Sequence, residues 1–226
     1  MVGKATHGEG LVVVAPASGV RECEYIEKLG RLWIGKPMPE QPGKLEQLTD
    51  RACRLVDQLE DRFVPDVTIV DPRAGLSDVA SAALVGLGAQ NLLFALDTPQ
   101  TWAGYRHLFE HWHRDRTAWG ELRTRLQFVM GMTPELNRKD YAASFKRQAY
   151  DLLAQYVYDD LGAGELDGWH PQLDEQGAPH DAPEIGWSLA FQAWSPLTAP
   201  PTPDQVAASY GGFLRRTRDC IGLPQW

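Results

Sequence analysis

Cysteine is scarce in this chain and shows no pairing pattern. Only Cys23, Cys53 and Cys220 occur in 226 residues, far apart and without a CxxC pair. That excludes a disulfide framework and a cysteine zinc site, and it predicts reduced thiols in a cytoplasm. No apolar run approaches the ~18 residues that a membrane-spanning helix needs. Met1 to Gly10 holds no apolar core of the signal-peptide kind. No GxSxG elbow occurs, which argues against an α/β-hydrolase. Excess positive charge is also missing: 22 Lys and Arg face 30 Asp and Glu, a formal charge of −8, so a generally basic nucleic-acid coat protein is excluded. What remains is a composition that folds, with 43% hydrophobic and 23% charged residues. A chain of this length fits one large domain, or a domain with an appendage, and buries roughly 70% of its unfolded surface.

Charge is unevenly spread. Residues 1–100 carry a net −4, residues 101–150 a net +4, and residues 151–208 contain 10 acidic side chains and no Lys or Arg. Within a fold the basic helices and the acidic segment partly neutralise each other. The functional alternative is an acidic flap competing with phosphate for the basic helices.

Hydrophobic patterning predicts an α/β fold: a short, mostly parallel sheet with flanking helices. Leu11 to Ala15, Val67 to Val70, Leu92 to Leu96 and Leu126 to Met130 read as buried strands, each closed by turn residues. Between and after them, residues 44–63, 76–88, 100–123 and 139–161 read as helices. Strands alternating with helices imply a parallel sheet covered on both faces. Three regions follow: a core over 1–161, an acidic Gly/Pro-rich loop with a Trp patch over 162–203, and a terminal helix over 204–226. Thr202 or Pro203 would open that helix, and Gly222-Leu223-Pro224 would close it.

The stretch that carries chemistry is Asp66-Val-Thr-Ile-Val-Asp71-Pro-Arg-Ala-Gly75-Leu-Ser-Asp78. An apolar strand delivers Asp71 to the carboxyl edge of a sheet, where α/β folds bind ligands. There it would hold a water of Mg²⁺. Gly75 has no side chain, so its N–H can approach a terminal phosphate. In its generic form this pattern also describes a plain strand-to-helix turn, since Asp-Pro opens turns well.

Together with Leu96-Asp-Thr-Pro-Gln-Thr-Trp-Ala-Gly-Tyr-Arg-His-Leu-Phe109, this stretch resembles the KGGVGR-motif variant of the ParA/MinD-like P-loop ATPases. The family pairs a DSRAGL-type loop with a TDSxQTWxGYRxLF-type segment one helix and one strand later. Tyr25 to Arg31, Phe145 to Tyr158, the Trp187–Pro196 patch and the last helix extend the resemblance over most of the chain. It implies a partial P-loop NTPase fold, a switch loop with Asp71, Arg73 and Gly75, Mg²⁺ near Asp71, ATP as nucleotide, and dimerisation.

The family's phosphate loop, KGGVGRS or KGGVGKT, is absent from this sequence. By the resemblance, Met1 falls after that loop and after the second family strand. Gly30-Arg-Leu-Trp-Ile-Gly35-Lys36 spells GxxxxGK, but Pro37 follows where the Mg²⁺-binding hydroxyl belongs, and no strand precedes it. It reads as a helix end and a Pro turn. Pro72 stands where the family has Ser or Thr, and Gly131-Met132-Thr133-Pro134 where it often has a base-binding Asn. His107-Leu-Phe-Glu110-His111 spells the zinc-peptidase pattern HxxEH, with Glu175 or Glu184 as the tempting third ligand. The plainer reading is an amphipathic helix with Leu108, Phe109 and Trp112 inward. Eight Trp are available for nucleic-acid stacking, but serve equally in a core or interface. Arg114, Arg116, Arg123 and Arg125 would touch phosphates only on a basic face, and nucleic acid is not the expected partner.

Three expectations follow. The first is a fragment or subunit of a nucleotide-switch ATPase that supplies the switch loop but not the phosphate loop, and so needs a protein partner and does not hydrolyse ATP alone. The second is a non-enzymatic, degenerate ATPase-like interaction module that binds another protein, or a second copy of itself, through its Trp-rich surface and acidic loop. The third is a zinc hydrolase at His107 and His111.

Overall fold

The computed structural model describes residues 2–4, 10–19, 22–31, 34–38, 42–72, 86–114, 120, 122–161, 168–192, 194–195 and 199–223. The chain divides into two units, Met1–Leu87 and Gly88–Trp226.

In the first unit β1 (Val2–Lys4) pairs antiparallel with β2 (Leu11–Val13). Helix α1 (Tyr25–Arg31) follows, and β3 (Lys36–Pro37) pairs antiparallel with β4 (Leu45–Glu46). Helix α2 (Leu48–Phe63) is opened by a capping box. Gln47 N–H donates to Asp50 Oδ2 at 2.9 Å, which satisfies a donor that the first helical turn leaves free. Val64 closes α2 in the left-handed region at φ 44°, its N–H donating to Glu60 O. No described residue of this unit is buried. Two strand expectations change accordingly. Of the expected strand Leu11 to Ala15, Leu11–Val13 form one, but an exposed antiparallel one. Val67 to Val70 form no strand, and Ile69 is 85% exposed. A run of β-branched residues fits a strand between two others, and no described strand pairs with this one. Most of the predicted 76–88 helix lies outside the described residues.

The second unit is a three-stranded parallel sheet flanked by helices. Its strands β5 (Asn91–Ala95), β6 (Leu126–Thr133) and β7 (Glu184–Gly186) lie in that order, with β6 central. Helix α3 (Pro99–Arg114) connects β5 towards β6, and α4 (Arg138–Tyr156) follows β6. The short α5 (Leu189–Gln192) and α6 (Pro203–Cys220) complete it. Alternation along β6 assigns the layers, because neighbouring side chains leave opposite faces. Phe128 meets Trp102, Tyr105 and Phe109 of α3 and Phe145 of α4, with ring centroids 5.2–6.4 Å apart and edges turned to faces. Its neighbour Gln127 faces the other way and meets Arg216 of α6. Phe94, opposite Val129, meets Phe213 on that side at 5.8 Å. The core therefore lies between β6 and the α3–α4 layer, where Phe109, Phe128, Phe145 and Leu153 are fully buried. Thr202 caps α6 as expected, its Oγ1 accepting from Gln205 N–H while Gln205 Oε1 accepts from Thr202 N–H. Gly222, at φ 69°, supplies the left-handed residue after its end. Among the described residues no helix is long and apolar enough to cross a membrane.

Candidate functional site

In a parallel sheet all carboxyl ends emerge on one side, and the helices that follow them start there. The second unit builds such an edge from β5, β6 and β7. Strand β5 ends at Ala95, and Leu96-Asp97-Thr98 turns the chain into α3. Thr98 Oγ1 accepts from Thr101 N–H at 3.3 Å, so a hydroxyl caps the helix. Asp97 is held from two sides. Its Oδ1 accepts from Trp102 Nε1 at 2.8 Å, and its backbone N–H donates to Tyr141 Oη at 2.8 Å. Tyr141 stands in the first turn of α4, with its N–H donating to Asn137 O at 3.0 Å. The hydrogen bond from the Asp97 backbone N–H to the Tyr141 hydroxyl thus joins the turn into α3 to the first turn of α4.

The end of β6 is irregular. Met130 pairs with Glu184 and Thr133 with Gly186, so β6 carries one extra residue against β7. That is a bulge, a feature found beside binding sites. Met132 takes φ 50° and is 63% exposed. Thr133 is buried, and its Oγ1 makes no hydrogen bond among the described residues. Asn137, at φ 57°, leads into α4 without capping it through its side chain. Arg138 donates through Nε to Glu184 Oε2 at 3.0 Å and through Nη2 to Glu184 Oε1. The paired carboxylate raises the already high Arg138 pKa further.

Chemically, this edge offers two helix beginnings whose N–H groups and dipoles favour an anion, beside a half-buried carboxylate. Asp97 suits Mg²⁺ that keeps waters and phosphate ligands, because such ions bind through one or two carboxylates. It does not make a protein-only cage. Among the described residues no group of three His, Cys, Asp or Glu is placed to hold a metal.

The sequence-predicted residues fall elsewhere. Asp71 lies in the first unit, exposed at the end of the unpaired Val67–Val70 segment. Arg73 and Gly75 lie outside the described residues. His107 and His111 share the exposed face of α3, Glu110 between them pairs with Arg114 at 2.6 Å, and Leu108, Phe109 and Trp112 are buried. The GxxxxGK spelling crosses the end of α1 and β3, with Lys36 and Pro37 paired to β4. In the sequence Asp97 reads as a turn residue within the Leu96–Phe109 stretch, not as a site residue. The signal that marks it, an apolar run ending in Asp, is the one that drew attention to Asp71. Tyr141 and Thr133 carry no sequence signal, because their role depends on two strands ending side by side.

No family model matches this chain, and no curated protein or solved structure matches it either.

Proposed function

We propose that this chain is a fragment or subunit of a ParA/MinD-like nucleotide-switch ATPase, working with a protein partner that brings the phosphate loop. The observation that supports this most is the convergence of Asp97, Tyr141 and the first turns of α3 and α4 at one carboxyl edge. In this reading ATP and Mg²⁺ come with the partner's phosphate loop, and the segment with Asp71, Arg73 and Gly75 acts as the switch loop, as the resemblance implies. The partner supplies most of the phosphate-binding groups, without which the phosphate charge stays unneutralised. Purified alone, the chain should release no phosphate from ATP. Mixed with a KGGVGR-type phosphate-loop segment, it should bind ATP with Mg²⁺, and Asp97→Asn or Asp71→Asn should weaken that binding. Hydrolysis by the chain alone, lost in Asp71→Ala, would overturn the subunit reading. Equal binding by wild type, Asp71→Asn and Gly75→Val would remove the switch loop from it.

A second reading, an ATPase-like interaction module without nucleotide, is favoured by the apolar side chains that follow β6 and β7. Leu136 is 83%, Leu189 65% and Trp187 41% exposed. Exposed large apolar side chains at the ends of two adjacent strands are candidates for a contact surface. Protein binding that survives Asp97→Asn and ignores ATP would select this reading.

A further inference from the structure

The acidic segment after α4 is not a loose flap over residues 168–183. It is fastened by two histidines that each accept from a tyrosine. His180 is completely buried. Its Nε2 lies 3.1 Å from Gln172 O and 3.0 Å from Leu173 O. Carbonyl oxygens only accept, so Nε2 carries the proton. A neutral ring then has its lone pair on Nδ1, which accepts from Tyr158 Oη at 2.6 Å. Tyr158 is itself buried, just past the end of α4, with its N–H donating to Leu153 O. His170 uses the opposite tautomer. Its Nδ1 donates to Asp159 O at 2.7 Å, and its Nε2 accepts from Tyr150 Oη at 3.2 Å.

Both nitrogens of His180 are therefore committed to the neutral ring. An added proton would make Nδ1 a donor, so that Tyr158 Oη would have to accept and its own proton would lose its partner, and it would put a charge on a fully buried ring. The charged neighbours do not remove that cost. Lys146 of α4, 3.3 Å from Asp174, opposes a charged ring. Asp181 favours one, but its Oδ2 already accepts from Gly177 N–H. Glu175 accepts from Gln172 N–H, and Asp159 is paired with Arg123 at 2.5 Å. Burial holds the His180 pKa below the usual histidine range, against the Leu173 and Gln172 carbonyls, which favour the charged ring.

The same segment holds other parts in place. Pro179 O and Pro183 O accept from the N–H groups of Phe128 and Met130 in β6, both at 2.9 Å. Gln127 Nε2 donates to Pro179 O and Asp181 O. Arg216 of α6 reaches Gln127 Oε1 at 2.8 Å and also donates to Gly177 O.

We propose that residues 168–183 form an acid-released latch, in which protonation of His180 detaches the segment from the end of α4 and loosens β7 and α6 from β6, while the α3–α4 face stays closed. The opening is local because no described residue of β7 or α6 is buried, whereas the Phe128 core is fully buried.

The test is hydrogen exchange of the full chain between pH 7.5 and 5, with rates corrected for intrinsic chemistry. Peptides over 168–186 should lose protection by up to about tenfold per pH unit below the histidine range, as coupling to one proton requires. Peptides from α3 and the middle of α4 should stay protected. His180→Gln should flatten this dependence, and His170→Gln should retain it. Tyr158→Phe should move the opening to higher pH, since Nδ1 then lacks a donor. If His180→Gln does not fold, NMR titration of His180 in the wild-type chain serves in its place. Its protonation should coincide with the loss of protection. Protection independent of pH, titration of His180 without opening, or a pH dependence that follows His170 would each overturn the latch.

Discussion

The two units carry nearly the same sentence of sequence with opposite results. Residues 67–71 and residues 92–97 are each an apolar run ending in Asp. In the second unit the run becomes β5, paired in register with β6 and tied to α3 by Tyr105 Oη, which donates to Phe94 O at 2.7 Å. In the first unit it stays exposed and unpaired among the described residues. A run of this kind specifies that a strand wants burial on both faces; it does not supply the neighbours. In the second unit β6 supplies one such neighbour, and Leu93 and Ala95 of β5 are buried against the core. Among the described residues the first unit offers no strand that pairs with its run.

Core truncation should break this contrast most sharply. Phe128→Ala removes the side chain that the rings of Trp102, Tyr105, Phe109 and Phe145 surround, and should cost about 3–5 kcal/mol. Leu55→Ala in α2, 55% exposed, should cost far less. Denaturant unfolding followed by tryptophan fluorescence would measure both, and equal losses would mean that the first unit has a core of its own.

Next comes the polar tie on the opposite face of β6. Arg216→Ala leaves the buried Gln127 Oε1 without its partner and should cost about 1–3 kcal/mol, read as a lower denaturation midpoint. Gln127→Leu made together with Arg216→Ala should recover part of that loss, since a buried acceptor without a donor is worse than none.

Acid should act on the second unit in two steps. His180, held below its ordinary pKa, favours the folded state at neutral pH, and that contribution is lost as pH falls from the ordinary histidine range through the folded value. Arg123, followed by Trp169 N–H, holds the Asp159 carboxyl below its usual range. Its contribution is complete above the ordinary carboxylate pKa and is lost as pH falls through the depressed one. Stability curves of wild type and Asp159→Asn should therefore differ at neutral pH and converge in acid.

The smallest effect should come from the surface. Asp174→Asn breaks the pair with Lys146, but Asp174 is 94% exposed, and such pairs are worth about 0–1 kcal/mol. Ile69→Lys should likewise leave stability unchanged, yet it should reduce self-association seen by light scattering, because Ile69 is an exposed apolar residue on an unpaired segment.

The sequence made the α/β class, β5, β6, α3, α4 and both ends of α6 legible, because each has a periodic apolar pattern bounded by turn residues or caps. Thr202 and Gly222 could be read directly, since capping is local chemistry. The buried placement of Leu11 to Val14 and Val67 to Val70 could not, because burial depends on what lies alongside. Asp97 was visible as a residue and invisible as a site, since its role comes from Tyr141, 44 positions away. The latch was hidden for a similar reason. Residues 168–183 look like any acidic Pro/Gly loop until His180 is placed beside Tyr158.

Residue-resolved amide exchange of the isolated chain at neutral pH tests the contrast between the two runs most directly. The account predicts slow exchange for the ladder amides of β6 and for those of β5 that bond to it, and near-intrinsic rates for Val67 to Val70. Protection of Val67 to Val70 equal to that of the β6 ladder would contradict it, because the first run would then have found its neighbours within this chain.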